Sequence, residues 1–154
     1  NIKSTVIITK SLLSNLIKSG QGYILNVASM AAFAPIAYKT IYPATKSFIS
    51  SFSLSLHEEL RAQNINVSIT YPGAMMTNFN VAKRIMNQGS KGRLGLITTD
   101  EIAKCSIDAT LRGKRKIIPG FWNRISAQLI SILPTYISLK LISSSVKREL
   151  KTSF

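Results

Sequence analysis

Gly22-Tyr-Ile-Leu-Asn-Val-Ala-Ser29 and Ile65-Asn-Val-Ser-Ile-Thr-Tyr-Pro-Gly73 are two short apolar stretches, each closed by small or turn-forming residues, and an amphipathic run from Pro43 to Ala62 separates them. Each stretch suits a strand buried on both faces. The run between them places Ile49, Phe52, Leu56 and Leu60 on one stripe of the helical period, so it predicts a helix. A strand, a helix and a second strand make a crossover unit, and a crossover implies parallel strands. In open parallel sheets the ligand crevice lies beyond the carboxyl ends of the strands. Ser29, Pro72 and Gly73 all fall at that end.

Tyr42-Pro-Ala-Thr-Lys46 opens the helix. Residues i and i+4 project from one helix face, so a phenol and an ammonium are held one turn apart. A free tyrosine titrates near ~10, and a nearby cation favours its phenolate, which brings the group toward acid/base work at neutral pH. The spacing alone better describes an exposed lysine beside a half-buried tyrosine. Its meaning comes from the neighbouring Ser29 and from its place at the ligand end of the sheet.

Asn26-Val-Ala-Ser29, Tyr42-x-x-x-Lys46 and Pro72-Gly-Ala-Met-Met-Thr77 resemble, in this order, the serine strand, the tyrosine-lysine helix and the nicotinamide-contacting loop of the short-chain dehydrogenase/reductase family. Asn1-Ile-Lys-Ser-Thr-Val-Ile-Ile-Thr9 is similar to the family helix that begins with the active-site asparagine. The resemblance implies that Tyr42 is the general acid/base. Lys46 would lower its pKa and bind the nicotinamide ribose, and Ser29 would orient the substrate oxygen and stabilise charge on it. Asn1 would hold a water of the proton relay. Pro72, Gly73, the backbone at Met75, and Thr77 would hold the nicotinamide carboxamide. The implied activity is hydride transfer between NAD or NADP and a carbonyl or secondary alcohol.

One family element is missing from the pattern. A glycine-rich turn after the first strand normally receives the pyrophosphate. Here Gly20-Gln-Gly22 precedes a strand, and Gly89-Ser-Lys-Gly-Arg-Leu-Gly95 follows none. The expected fold class is therefore α/β, the C-terminal half of a Rossmann-like doubly wound parallel sheet. About three parallel strands with flanking helices and a helical C-terminal tail are expected, with roughly a hundred residues of the first nucleotide-binding half absent. Residues 1–154 would form a partial NAD(P)-binding domain. Taken alone they are expected to bind no dinucleotide and to turn over nothing.

The rest of the chain fills in this plan. Ile2 to Ser19 reads as a helix with Val6, Ile7, Leu13 and Leu16 as apolar positions and Gly20 as its terminator. By resemblance it would join the Tyr42 helix in a subunit interface of a homodimer or homotetramer. Residues 78–97 would form the substrate lid. Thr98-Thr-Asp-Glu101 is a capping box for a helix to about Arg112, and Arg115 to Ile118 a short strand. His57, near the other end of the helix from Tyr42 and Lys46, reads as structural. Cys105 reads as a small core residue; a single cysteine forms no internal disulfide and suits a reducing cytoplasm. One histidine and one cysteine make no metal site.

Twenty Lys and Arg against 6 Asp and Glu give a net charge of +14. Basic residues cluster tightly only at Lys114-Arg-Lys116 and Lys147-Arg148, without aromatic interleaving, so no nucleic-acid partner is expected. The tail, 121–154, holds two apolar helical runs separated at Pro134, too short and serine-rich to span a bilayer. Two roles stay open: an apolar wall of the pocket, the preferred one, implying an apolar or lipid-like substrate; or contact with an anionic membrane surface through its basic side. The expected location is cytoplasmic, with membrane association left to the tail. A non-catalytic module binding a partner or membrane is the alternative function.

Overall fold

The structure, a computed structural model, describes residues 1–75 and 96–151, the side chains of 148–151 excepted. In chain order these form α1 (Ile2–Lys18), β1 (Gly22–Val27), a 3-10 turn (Met30–Phe33), α2 (Ile41–Leu60), a second 3-10 turn (Arg61–Gln63), β2 (Ile65–Thr70), α3 (Thr99–Leu111), β3 (Lys116–Ile117), α4 (Phe121–Ile132) and α5 (Thr135–Lys151).

The strands form one parallel sheet in the order β1-β2-β3. Gly22 pairs with Ile65 and Val27 with Thr70, while Ile69 and Thr70 pair with Lys116 and Ile117. Alternate residues of β2 serve opposite layers. Ile65, Val67 and Ile69 pack with Ile49, Leu56 and Leu60 of α2 in two apolar clusters. On the other side Thr70 shares a 2.8 Å hydrogen bond with Ser106 of α3. β2 is consequently enclosed along nearly its whole length.

β1 departs from the expectation of burial on both faces. Its α2 side is filled by Ile24 and by an Asn26 Nδ2 bond to Ser53 Oγ (2.8 Å). Tyr23 and Val27, facing the other layer, stay exposed because α3 covers that side only in part. β3 is shorter than expected. α2 starts at Ile41, before the expected Pro43, since a proline in the first turn lacks only an N–H that the helix would leave unbonded.

α1 ends as its terminator predicts, with Gly20 at φ 74° and its N–H on Ile17 O (3.1 Å). Leu13 and Leu16 pack on the Leu56 cluster, but Ile7 is exposed, so the buried face of α1 is narrower than its apolar pattern. Thr98 and Glu101 form the expected capping box at the start of α3. The tail breaks at Pro134 into α4 and α5 as predicted. No described helix is long and apolar enough to cross a membrane.

Candidate active site

The site is built where β1 and β2 end. Ala28 N–H bonds Thr70 O (2.8 Å), extending the ladder by one step, and Met30 N–H bonds Pro72 O (3.0 Å). These two bonds tie the Ser29 segment to the Pro72-Gly73 loop, so both ends form one rim. Ser29 is extended and its Oγ accepts from Ala31 N (3.2 Å), capping the 3-10 turn. Phe33 in that turn lies on Tyr71, with ring centroids 4.8 Å apart, and the Lys116 ammonium stands over both rings at 4.8 and 5.5 Å. Tyr71 shares a 2.6 Å hydrogen bond with Ser50, and burial pushes its phenol above the usual tyrosine range despite that bond.

Tyr42 and Lys46 reach the rim from the first turns of α2. Tyr42 N–H bonds Lys39 O (3.2 Å), and Thr45 Oγ1 closes on Tyr42 O (2.8 Å), which fixes the turn carrying the phenol. Tyr42 keeps 47% of its surface exposed. Lys46 Nζ donates to Val27 O (3.0 Å), two residues before Ser29, and lies 5.8 Å from the centroid of the Tyr42 ring. Burial holds this ammonium below the ordinary lysine range. Of its three N–H donors one is engaged by Val27, leaving two for oxygens that enter the crevice. That donor set fits ribose hydroxyls.

Pro72 is buried, and Gly73 and Met75 are half-buried beside it. Gly73 faces the amide of Asn123, whose Nδ2 donates to Pro119 O (2.9 Å). Asn123 is a site-supporting residue that the sequence reading passed over. Its only signal is a lone amide inside an otherwise apolar and basic helical start, Phe121-Trp-Asn-Arg124. Asn1 stands at the N-cap of α1, where its carbonyl accepts from Thr5 N (3.1 Å), Thr5 Oγ1 (2.8 Å) and Ser4 Oγ (3.2 Å). Among the described contacts it makes none with Tyr42, Lys46 or Ser29. Thr77 and the lid expected over 78–97, apart from Leu96 and Ile97, lie outside the described residues.

A recess of about 410 Å³ is lined among others by Phe33, Pro35, Thr40, Ala44 and Ser47 and by Leu139 of α5; it shares the 3-10 turn and the first turns of α2 with the site, while Ser29, Tyr42 and Lys46 do not line it. His57 Nδ1 donates to Val67 O (2.8 Å), a structural bond to β2. Cys105 is a half-buried free thiol in α3. Among the described residues no group of metal-ligating side chains comes together.

A parallel α/β sheet thus carries a tyrosine-lysine pair over its carboxyl rim, the end at which open parallel sheets take their ligands. The model of the short chain dehydrogenase family matches residues 1–88, and the chain belongs to that family. It is 40% identical over 73 residues to a probable NADP-dependent dehydrogenase of Haemophilus influenzae, covering 47% of this chain and 29% of that protein. Over 148 residues it is 28% identical to the very-long-chain 3-oxoacyl-CoA reductase of Homo sapiens, covering 96% of this chain and 45% of that protein. A solved structure of a 7β-hydroxysteroid dehydrogenase superposes with a TM-score of 0.79 at 17% identity, covering 92% of this chain and 55% of that one. The chain thus spans less than half the length of these two curated relatives.

Proposed function

We propose that the protein is an NAD(P)-dependent oxidoreductase that interconverts a carbonyl and a secondary alcohol. The observation that carries this reading is the Lys46 ammonium, held on Val27 O at the end of β1 and one turn from Tyr42. When bound, NAD or NADP supplies or accepts the hydride at the substrate carbon. Tyr42 gives its phenolic proton to the substrate oxygen in reduction and takes it back in oxidation. Ser29 donates to the same oxygen and stabilises charge as it develops. Lys46 also holds the ribose through its remaining donors. Pro72, Gly73, Met75 and Thr77 hold the carboxamide, and Asn1 a relay water.

The substrate class is an apolar or lipid-like carbonyl compound. Support comes from the mainly apolar recess beside the site, to which Leu139 of the tail contributes, and from the acyl-CoA reductase likeness over nearly the whole chain. Ile8 and Leu12 of α1 are exposed apolar side chains, and Phe48 of α2 stacks on Phe52; these faces favour a homodimer or homotetramer, which sedimentation velocity at low concentration would test. The free Cys105 suits a cytoplasmic location. Nothing favours the non-catalytic alternative.

The test is a cofactor-fluorescence titration of the full-length protein with NADH and NADPH, followed by reduction of medium- and long-chain ketones. Binding with turnover that Tyr42→Phe abolishes supports the reading. Absence of both binding and turnover would sink it.

A further inference from the structure

We infer that α4, with the adjoining flank of α5, lies on an anionic phospholipid surface. The argument starts from the direction in which α4 points its apolar side chains. At 3.6 residues per turn, Phe121, Trp122, Ile125, Leu129 and Ile132 fall within about 100° of the helix circumference. Asn123 and Ala127, on the opposite side, are the buried residues of α4, the side that meets the 3-10 turn and the Gly73 loop. The larger apolar stripe therefore faces outward, with Phe121 67%, Trp122 52%, Leu129 58% and Ile132 81% exposed. Large side chains gathered on one face, unlike single scattered ones, mark a contact surface.

The charges around this stripe choose its occupant. From Phe121 to Lys147, the stretch that holds α4 and most of α5, the chain contains no Asp or Glu, while Arg124, Lys140 and Lys147 are basic. None of these three has an acidic partner among the described ion pairs, and Arg124 is steadied by an Nε bond to Ile118 O (3.0 Å). Arg124 borders the stripe on α4, and Lys140 and Lys147 are exposed on α5. A second copy meeting this surface about a two-fold axis would bring like charges together. Nucleic acid would satisfy the charges and leave the apolar stripe in water. A bilayer with acidic headgroups satisfies both. α4 is too short to cross it and has the shape of a helix lying in the interface, where Trp122 and Tyr136 are the aromatic types favoured at the headgroup level.

The inference uses none of the residues of the proposed reaction, so the two fail separately. The experiment is flotation of the full-length protein with vesicles of phosphatidylcholine alone and of phosphatidylcholine mixed with phosphatidylserine. Trp122, the one tryptophan of these 154 residues, serves as an in-place reporter, its emission being the part that Trp122→Phe removes. The expected result is co-flotation with the acidic vesicles, weakened by salt, and a blue shift of Trp122 emission quenched by brominated lipid. Leu129→Gln with Ile132→Gln should weaken partitioning at least ~10-fold. Arg124→Glu with Lys140→Glu should reduce binding to acidic vesicles while leaving the weak binding to neutral ones. These positions are exposed, and circular dichroism verifies that each variant is folded. No flotation with acidic vesicles, or flotation that Leu129→Gln with Ile132→Gln leaves unchanged, overturns the inference. So does a wild-type oligomer that the same pair of substitutions dissociates in the absence of vesicle binding, since a second copy would then cover the stripe.

Discussion

Asn123 lies so close to the backbone of Gly73 that a Cβ on Gly73 would stand 2.7 Å from both Nδ2 and Oδ1 of its amide. The two residues are far apart in the chain, yet this contact sets how near α4 comes to the loop proposed to hold the nicotinamide. The amide is also fixed by its bond to Pro119 O, so it cannot simply rotate away. Gly73→Ala should cost about 1–3 kcal/mol by overpacking. Asn123→Ala removes the obstructing atoms. The double variant should recover part of the loss, with a coupling of about 0.5–3 kcal/mol between the sites. A double-mutant cycle by urea denaturation of the three variants measures it, and strict additivity would contradict the steric account.

Tyr42→Phe removes the proposed proton carrier and leaves its ring. The turnover number should fall about 10²–10⁴-fold, while thermal stability changes little because the phenol oxygen makes no described hydrogen bond. Lys46 adds a pH signature. Burial lowers its folded-state pKa, so the ammonium loses its proton at a lower pH than a free lysine would. The alkaline limb of the rate profile should begin correspondingly early. Lys46→Arg, which stays charged, should move that limb to higher pH at the cost of a lower plateau, because a guanidinium fits the Val27 carbonyl differently. A limb unmoved by Lys46→Arg would assign the alkaline titration to another group.

Most of this architecture is legible in the chain because local signals agree. Gly22 and Pro72-Gly73 punctuate apolar runs, Ile49, Leu56 and Leu60 keep the helical period, and Thr98 with Glu101 spells a cap. The rim position of Tyr42, Lys46 and Ser29 follows from parallel topology. What escaped the sequence are relations set by tertiary approach. Periodicity shows that α4 has an apolar face but not that this face turns outward. Ile7 belongs to an apolar pattern wider than the surface α2 offers α1. Asn123 meets Gly73, and Ser143 meets Ala37 across 106 positions, through contacts that no local pattern encodes.

The cap of α3 offers a test with a defined sign in pH. Thr98 Oγ1 accepts from Glu101 N (3.3 Å), and the Glu101 carboxylate accepts from Thr98 N (3.1 Å) and Thr98 Oγ1 (2.9 Å). Thr98→Ala should cost about 1 kcal/mol near neutral pH. Bonding from Thr98 lowers the folded-state pKa of Glu101 below its ordinary 4.5. The stabilisation is therefore present above the unfolded-state value and is lost as pH falls through the folded one. The stability gap between wild type and Thr98→Ala should narrow on acidification below the ordinary glutamate range, as read from denaturation midpoints. A gap that widens there would show that the carboxylate does not take part.

Tyr38 carries backbone strain on the segment that leads to the site. Its φ of 68° is in the left-handed region, which costs a non-glycine residue roughly 1–2 kcal/mol and which asparagine tolerates better. The side chain is 61% exposed, so little packing offsets that cost. The conformation is held from outside: Ala37 N–H bonds Ser143 Oγ on α5 (2.9 Å), and Lys39 N–H bonds Ile36 O (3.3 Å). Tyr38→Asn should stabilise the protein by up to ~1 kcal/mol without moving Tyr42. Ser143→Ala should do the opposite, leaving a part-buried N–H without its acceptor at a cost of about 1 kcal/mol or more. It should also raise the hydrogen-exchange rate of Ala37 more than that of residues in β2. In the Ser143→Ala background the benefit of Tyr38→Asn should shrink, because the released loop can relax the strain by itself. Equal benefit in both backgrounds would show that α5 does not impose the left-handed turn.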